Sequence, residues 1–191
     1  STASYKAKDL QGIVLHGNNL SGWDFTGQNF AGADFREARV TGTDLTDAVV
    51  TGASFAHTTW CGFVKQQLYS TASYKAKDLQ GIDLSENDLS GWDFSGQNLM
   101  GASFEMATLT AANLSRASLA GAEFYWANLA STDLSCADLR GTRITKDQSS
   151  QAVTHSAILP DGSIQDLNLS AGKQLVVRDY DMPITVQQAM T

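Results

Sequence analysis

Residues 101–140 read GASFEMATLTAANLSRASLAGAEFYWANLASTDLSCADLR. Every fifth residue is large and apolar: Phe104, Leu109, Leu114, Leu119, Phe124, Leu129, Leu134 and Leu139. The series reaches back to Leu79 and on to Ile144, fourteen in succession. A second series, in another phase, runs from Leu10 through Leu15, Leu20, Phe25, Phe30, Phe35, Val40, Leu45, Val50 and Phe55 to Trp60. Two places before these residues a small one is usual, as at Ala33, Ala53, Ala112 and Ala137. The place just before is often Asp or Asn.

A period of five suits neither standard element. On a helix the apolar stripe would drift by about 140° per step. On a strand, alternate members would point to opposite faces. The pattern is satisfied if the chain turns a corner every five residues. Each side of a square coil then sends one large and one small side chain inward. Four sides make a coil of about 20 residues, and coils stack at about 4.8 Å through backbone hydrogen bonds.

This repeat, seen in Ala112-Asn113-Leu114 and Ala137-Asp138-Leu139, resembles the pentapeptide-repeat family over residues 7–145. The resemblance implies an all-β fold, a right-handed quadrilateral β-helix. A longer repeat lies over the short one. Residues 1–12, STASYKAKDLQG, recur unchanged at 70–81. LSGWDFTGQN at 20–29 recurs at 89–98 as LSGWDFSGQN. With GFVKQQLYSTASYKAKDLQG at 62–81, the block resembles secreted repeat proteins of planctomycete bacteria. The segment ILPDGSIQDLNLSAGKQLVVRDYDMPITV is similar to the segment C-terminal to the repeats in those proteins.

We therefore expect two stacked solenoid blocks, 1–60 and 76–145, joined by a helical connector over 61–75. Val64–Tyr69 reads as the helix, with Phe63 and Leu68 on one face. The small inward position holds large or polar residues early in each block: Lys8, Ile13, Asn18, Trp23 and Gln28, then Lys77, Ile82, Asn87, Trp92 and Gln97. Such residues fit where no coil lies above, so Trp23 and Trp92 are expected to form lids, since solenoid ends need capping. The beat is expected to end at Ile144. A β cap is expected over 146–191, with strands at Ser163–Leu169, Gln174–Tyr180 and Pro183–Val186. The chain opens at Ser1, inside a repeat unit, and we expect it to be cut from a longer protein or its exposed first coil to be covered by a neighbouring molecule.

The net charge is −7 and 17% of residues are charged. An acidic balance argues against nucleic-acid binding, which needs a basic face. No apolar run reaches the length of a membrane span. No catalytic or nucleotide-binding motif is present, and no cofactor is expected. Asp24, Asp34, Asp44, Asp93, Asp133 and Asp138 sit at the repeat's fixed outward place, where short polar side chains bond to the backbone at corners. Asp179-Tyr180-Asp181 lacks the spacing of a calcium loop. The ladder Ser95-Ser115-Ser135 is too thin for an ice-binding array. Cys61 and Cys136 are nearly four coils apart, on the order of 18 Å, and are expected as free thiols or as a bridge between molecules.

The leading expectation is a non-enzymatic structural or adhesive module, secreted or at the cell surface, associating with itself through its ends. One alternative is an acidic rod that mimics DNA and binds gyrase, as a branch of the family does. Another is a ligand or carbohydrate surface built on Tyr125, Trp126 and Trp60.

Overall fold

The computed structural model describes residues 5–166. Within it the chain is a four-sided solenoid. Parallel bridges join residues 20 apart, as in Asp9–Asn29, Asp78–Asn98 and Asn98–Ser118. Each side is so short that it forms isolated bridges rather than extended strands. The apolar residue of each pentapeptide marks its side. Side A carries Leu10, Phe30, Val50, Leu79 and Leu99; side B carries Leu15, Phe35, Phe55, Leu84 and Phe104. Side C carries Leu20, Val40 and Leu89, and side D carries Phe25, Leu45 and Phe94.

The corners follow from local chemistry. The N–H three residues after each apolar residue donates back to its carbonyl, as in Ala102 to Leu99 at 3.0 Å. Such a turn needs a positive φ at its third residue. Glycine supplies it at Gly101 (φ 65°), but Met106 (55°) and Trp126 (57°) are held there too. Between corners, backbone groups pair only with the coils on either side. Leu99 N–H donates to Ser118 O at 2.8 Å, and Ser103 N–H to Ile82 O at 2.9 Å.

The core is one continuous column. Phe25, Phe30, Phe35 and Phe55 follow one another at centroid separations of 5.0, 4.8 and 4.8 Å. Phe63 then stacks on Phe55 at 4.8 Å and meets Trp92 at 5.7 Å. Trp92 continues to Phe94, Phe104 and Phe124. Alanines such as Ala102, Ala112 and Ala122 fill the small inward places and are fully buried.

The connector sits inside this column. Ser54 bridges Asp83, a spacing of 29, nine more than the regular 20. The extra chain forms a 3-10 turn, Thr59–Cys61, helix α1, Lys65–Ser70, and helix α2, Ala72–Lys75. These replace sides C and D of the third coil. Phe63 and Leu68 are buried as its core residues, whereas Trp60, on the apolar beat, is 73% exposed. The helix cannot offer the coil below the N–H groups that a regular side would. Gln67 supplies them. Its Nε2 donates to Val40 O (2.7 Å) and Thr43 O (2.9 Å).

Two expectations from the sequence are corrected here. The ladder on side B passes unbroken from Ser54 to Asp83, so Trp92 faces another coil and is no lid. The beat also does not end at Ile144. Helix α3, Lys146–Gln151, occupies the next side C, and bridges Asp133–Val153 and Asp138–Ile158 keep the 20-residue register. Gln148 repeats the role of Gln67, donating to Phe124 O (2.8 Å) and Ala127 O (2.9 Å). Of the expected C-terminal strands, Ile164 pairs antiparallel with Ile158; those at 174–180 and 183–186 lie outside the described residues.

Replacing Gln67 with Ala leaves the buried Thr43 carbonyl unpaired and Val40 O with only its corner bond from Thr43 N–H. The expected loss is about 1–3 kcal/mol of unfolding free energy in a urea melt, whereas Gln66→Ala, on the exposed face of α1, leaves the midpoint unchanged.

Candidate functional site

The two copies of the 69-residue repeat can be compared residue by residue. In the second, Tyr74 donates its hydroxyl to Asp93 O at 2.8 Å, Lys77 Nζ donates to Ser95 O at 2.9 Å, and Gln97 Nε2 donates to Tyr74 O at 3.1 Å. In the first, Tyr5 donates to Asp24 O at 2.6 Å, Lys8 to Thr26 O at 2.6 Å, and Gln28 to Tyr5 O at 3.0 Å. The local fold is the same. Both Gln28 and Gln97 are fully buried, and the Oε1 of each has no partner among the described residues. Such a group commonly holds an ordered water.

The surroundings differ. Trp92 is 6% exposed and Trp23 is 54% exposed. Around Trp23 lies a concavity of about 400 Å³, lined by Tyr5, Leu10, Ile13, Leu15, Trp23 and Phe25. Their counterparts Leu79, Ile82, Leu84 and Phe94 are fully buried. Val14, beside them, is also exposed. The N-terminal end of the solenoid is thus an apolar face among the described residues. Trp23 lies on that end, and half of its surface is open.

The other aromatic candidates do not converge. Trp60 rims a groove of about 370 Å³ with Thr59, Phe63, Val64, Asp88 and Trp92. Tyr125 and Trp126 lie with ring centroids 4.2 Å apart, tilted by 31°, on the corner after side B and are both exposed. They lie three coils from Trp60, on the order of 14 Å along the axis.

The outward carboxylates are tied into corners. Asp34 Oδ1 accepts from Arg36 N–H at 3.0 Å and the Arg36 guanidinium closes on both oxygens. Asp88 Oδ1 accepts from the Ser90 hydroxyl at 2.6 Å and from its N–H at 3.0 Å. These side-chain bonds hold both carboxyls below the usual carboxylate range. Asn residues make the same corner bond, as in Asn113 with Ser115 N–H at 3.0 Å. The Ser115 hydroxyl also turns to Asn113, at 2.7 Å, away from any flat array.

Among the described residues no His, Cys, Asp and Glu side chains cluster so as to hold a metal ion, and no helix is long and apolar enough to cross a membrane. Asp179-Tyr180-Asp181 lies outside the described residues. Cys61 and Cys136 are free thiols. The roles of Gln67 and Gln148 did not stand out in the sequence. The available signal was a Gln three residues after Val64 and Thr145, where a regular side fails.

Comparison with known proteins agrees with the repeat. The family described as pentapeptide repeats matches residues 9–47, 78–116 and 107–145. The chain belongs to that family. Among solved structures it is similar to HetL, a pentapeptide repeat protein involved in heterocyst differentiation regulation from the cyanobacterium Nostoc sp. strain PCC 7120. The two are 20% identical over 85% of this chain and 97% of that one, with a TM-score of 0.28. It is similar to a pentapeptide repeat protein from the Arabidopsis thaliana thylakoid lumen, 28% identical over 71% of this chain and 74% of that one, with a TM-score of 0.22. It is also similar to trypsin-treated QnrB1, a plasmid-mediated fluoroquinolone resistance protein. Here the identity is 18% over 78% of this chain and 68% of that one, with a TM-score of 0.25. No curated protein matches the sequence.

The depressed carboxyl values fix a pH dependence. A folded value below the unfolded one (about 3.9) gives stability that is present above the unfolded value and lost as pH falls through the folded one. Thermal melts by circular dichroism should hold a steady midpoint from neutral pH to about 5 and fall below about 4. Asp34→Asn and Asp88→Asn should each flatten part of that fall.

Proposed function

We propose that this protein is a non-enzymatic structural or adhesive module of a secreted, surface or fibre-forming protein, and that it works by self-association through its solenoid ends. The observation that carries this reading is the N-terminal end: an apolar face whose internal counterparts are fully buried. A coil of this kind carries unpaired backbone groups at its end, and unpaired β edges pair with any edge they meet. The sides offer less. They are built of short polar residues bonded to their own corners, and the described surface has no enclosed cleft for substrate.

Charge favours a second reading, an acidic DNA mimic that binds gyrase. The net charge of −7 suits it. The distribution does not. Up side D the stacked residues run Asp24, Asp44 and, beyond the connector, Asp93, Asn113, Asp133, Val153, and up side B they run Val14, Asp34, Ser54, Asp83, Ser103. Asp24 and Asp44 stack directly, but above the connector carboxylates alternate with neutral groups, and Arg36 and Arg140 neutralise Asp34 and Asp138. A continuous acidic stripe is lacking on these sides. Inhibition of purified gyrase in a supercoiling assay at low micromolar concentration would reverse the ranking. The exposed, adjacent Tyr125 and Trp126 support a ligand or carbohydrate surface as a subsidiary role, with stacking on a sugar face as its chemistry.

Sedimentation velocity and negative-stain electron microscopy over a rising concentration series test the leading reading. Assemblies longer than one chain are expected, and Trp23→Asp should suppress them while Trp126→Ala leaves them intact. Isolated monomers at the highest concentration would overturn it.

A further inference from the structure

The internal repeat shows how this face is covered when it has a neighbour. In the second copy, the coil that begins at Leu79 meets the residues before it in a defined register. Gly52 N–H donates to Gln80 O at 2.9 Å, Asp83 N–H to Ala53 O at 3.0 Å, and Phe55 N–H to Asp83 O at 2.8 Å. Asp88 N–H donates to Thr59 Oγ1 at 3.0 Å, and Asp93 N–H to Tyr69 Oη at 2.5 Å. Phe63 and Tyr69 close over Trp92 at 5.7 and 6.3 Å.

The first copy presents the same groups 69 residues earlier. They are Gln11 O, Val14 N–H and O, Asn19 N–H and Asp24 N–H, and none meets a partner among the described residues. Beside them lie Trp23 and the apolar concavity. The face therefore has both halves of an interface already formed once within this chain, the apolar pocket and the ladder register.

We propose that the N-terminal end of the solenoid is a docking face for the opposite end of another 69-residue unit. That unit ends in the segment whose copy here runs from Gly52 to Tyr69. Its Phe63 counterpart covers Trp23, its Tyr69 hydroxyl accepts from Asp24 N–H, and its coil extends the ladder on side B. A second whole copy of this chain keeps that surface buried, with Phe63 and Leu68 in its core, so the proposal goes beyond the end-to-end reading and concerns a unit that ends at that segment. Two differences on side B tune the fit. Val14 and Gly17 stand where the second copy has Asp83 and Glu86. Asp83 accepts from the Ser54 hydroxyl at 2.6 Å, and Glu86 lies 3.6 Å from His57. The partner's side B thus meets an apolar residue and no acid, so this end prefers a unit with an apolar residue in place of Ser54.

The test is the full chain extended at its N-terminus by a second copy of residues 26–69, which adds the covering segment without duplicating Trp23. Hydroxyl-radical labelling is read on the Trp23 peptide by mass spectrometry. Reactivity should fall about ninefold, the ratio of the 54% exposure of Trp23 to the 6% of Trp92. The same extension carrying Phe63→Asp and Leu68→Asp in the added copy should leave Trp23 as reactive as in the parent. An unprotected Trp23 in a folded, extended chain would overturn the proposal. So would a parent in which Trp23 is already protected and becomes reactive once residues 168–191 are removed, which would assign the face to the chain's own tail. If the parent stays monomeric while the extension protects Trp23, the end-to-end reading fails and the docking face stands. If the parent assembles but the extension leaves Trp23 open, only the docking face fails.

Discussion

Backbone pairing between successive coils is the constraint on which the rest of this structure depends. A side two or three residues long cannot satisfy its own N–H and C=O groups, and buried backbone groups must be paired. Each coil is therefore the hydrogen-bonding partner of the coil before and after it. The register of 20 residues, the inward stacking of like residues and the corner every fifth residue all follow from that requirement. Once the register is kept, Phe35 must lie over Phe55, and Ala102 over Ala122.

The same requirement explains the places where the repeat is broken. Helices α1 and α3 pair internally and present no N–H row to the coil below. In both, a glutamine amide takes the place of the missing side. Gln67 and Gln148 each reach two carbonyls, one on the apolar residue of the coil below and one three residues on. The helices also bring a core residue or two with them. Phe63 and Leu68 keep the column filled across the connector, so the aromatic stack runs through a segment that has lost the five-residue rhythm. The duplicated unit is joined head to tail without an interruption of side B.

The groups left unsatisfied are then concentrated at an end. The sides are chemically quiet because the residues that line them are occupied. Asp34, Asp88 and Asn113 bond to their own corners, and Arg36 and Arg140 lie over neighbouring aspartates. The N-terminal coil has the same inward apolar side chains as its internal copy but not the same neighbours. Its apolar residues and ladder groups are those that a covering coil uses elsewhere in the chain. Function by end contact is the economical consequence of a fold whose interior and sides are already complete.

The five-residue period alone determined the solenoid, because no helix or strand places every fifth residue on one side. The rule of two inward residues, the corner role of the aspartates and asparagines, and the helix near Lys65 were legible for the same reason: each is a local property of a few consecutive residues. The tertiary structure decided how the two copies are joined. Trp23 and Trp92 sit in near-identical sequence, LSGWDFTGQN and LSGWDFSGQN, yet one is half open and the other is buried. Those two decapeptides do not distinguish them. The difference is made by Phe63 and Tyr69, which pack over Trp92 from another coil. Burial depends on the residues stacked above, and in a solenoid those are a full turn or more away along the chain.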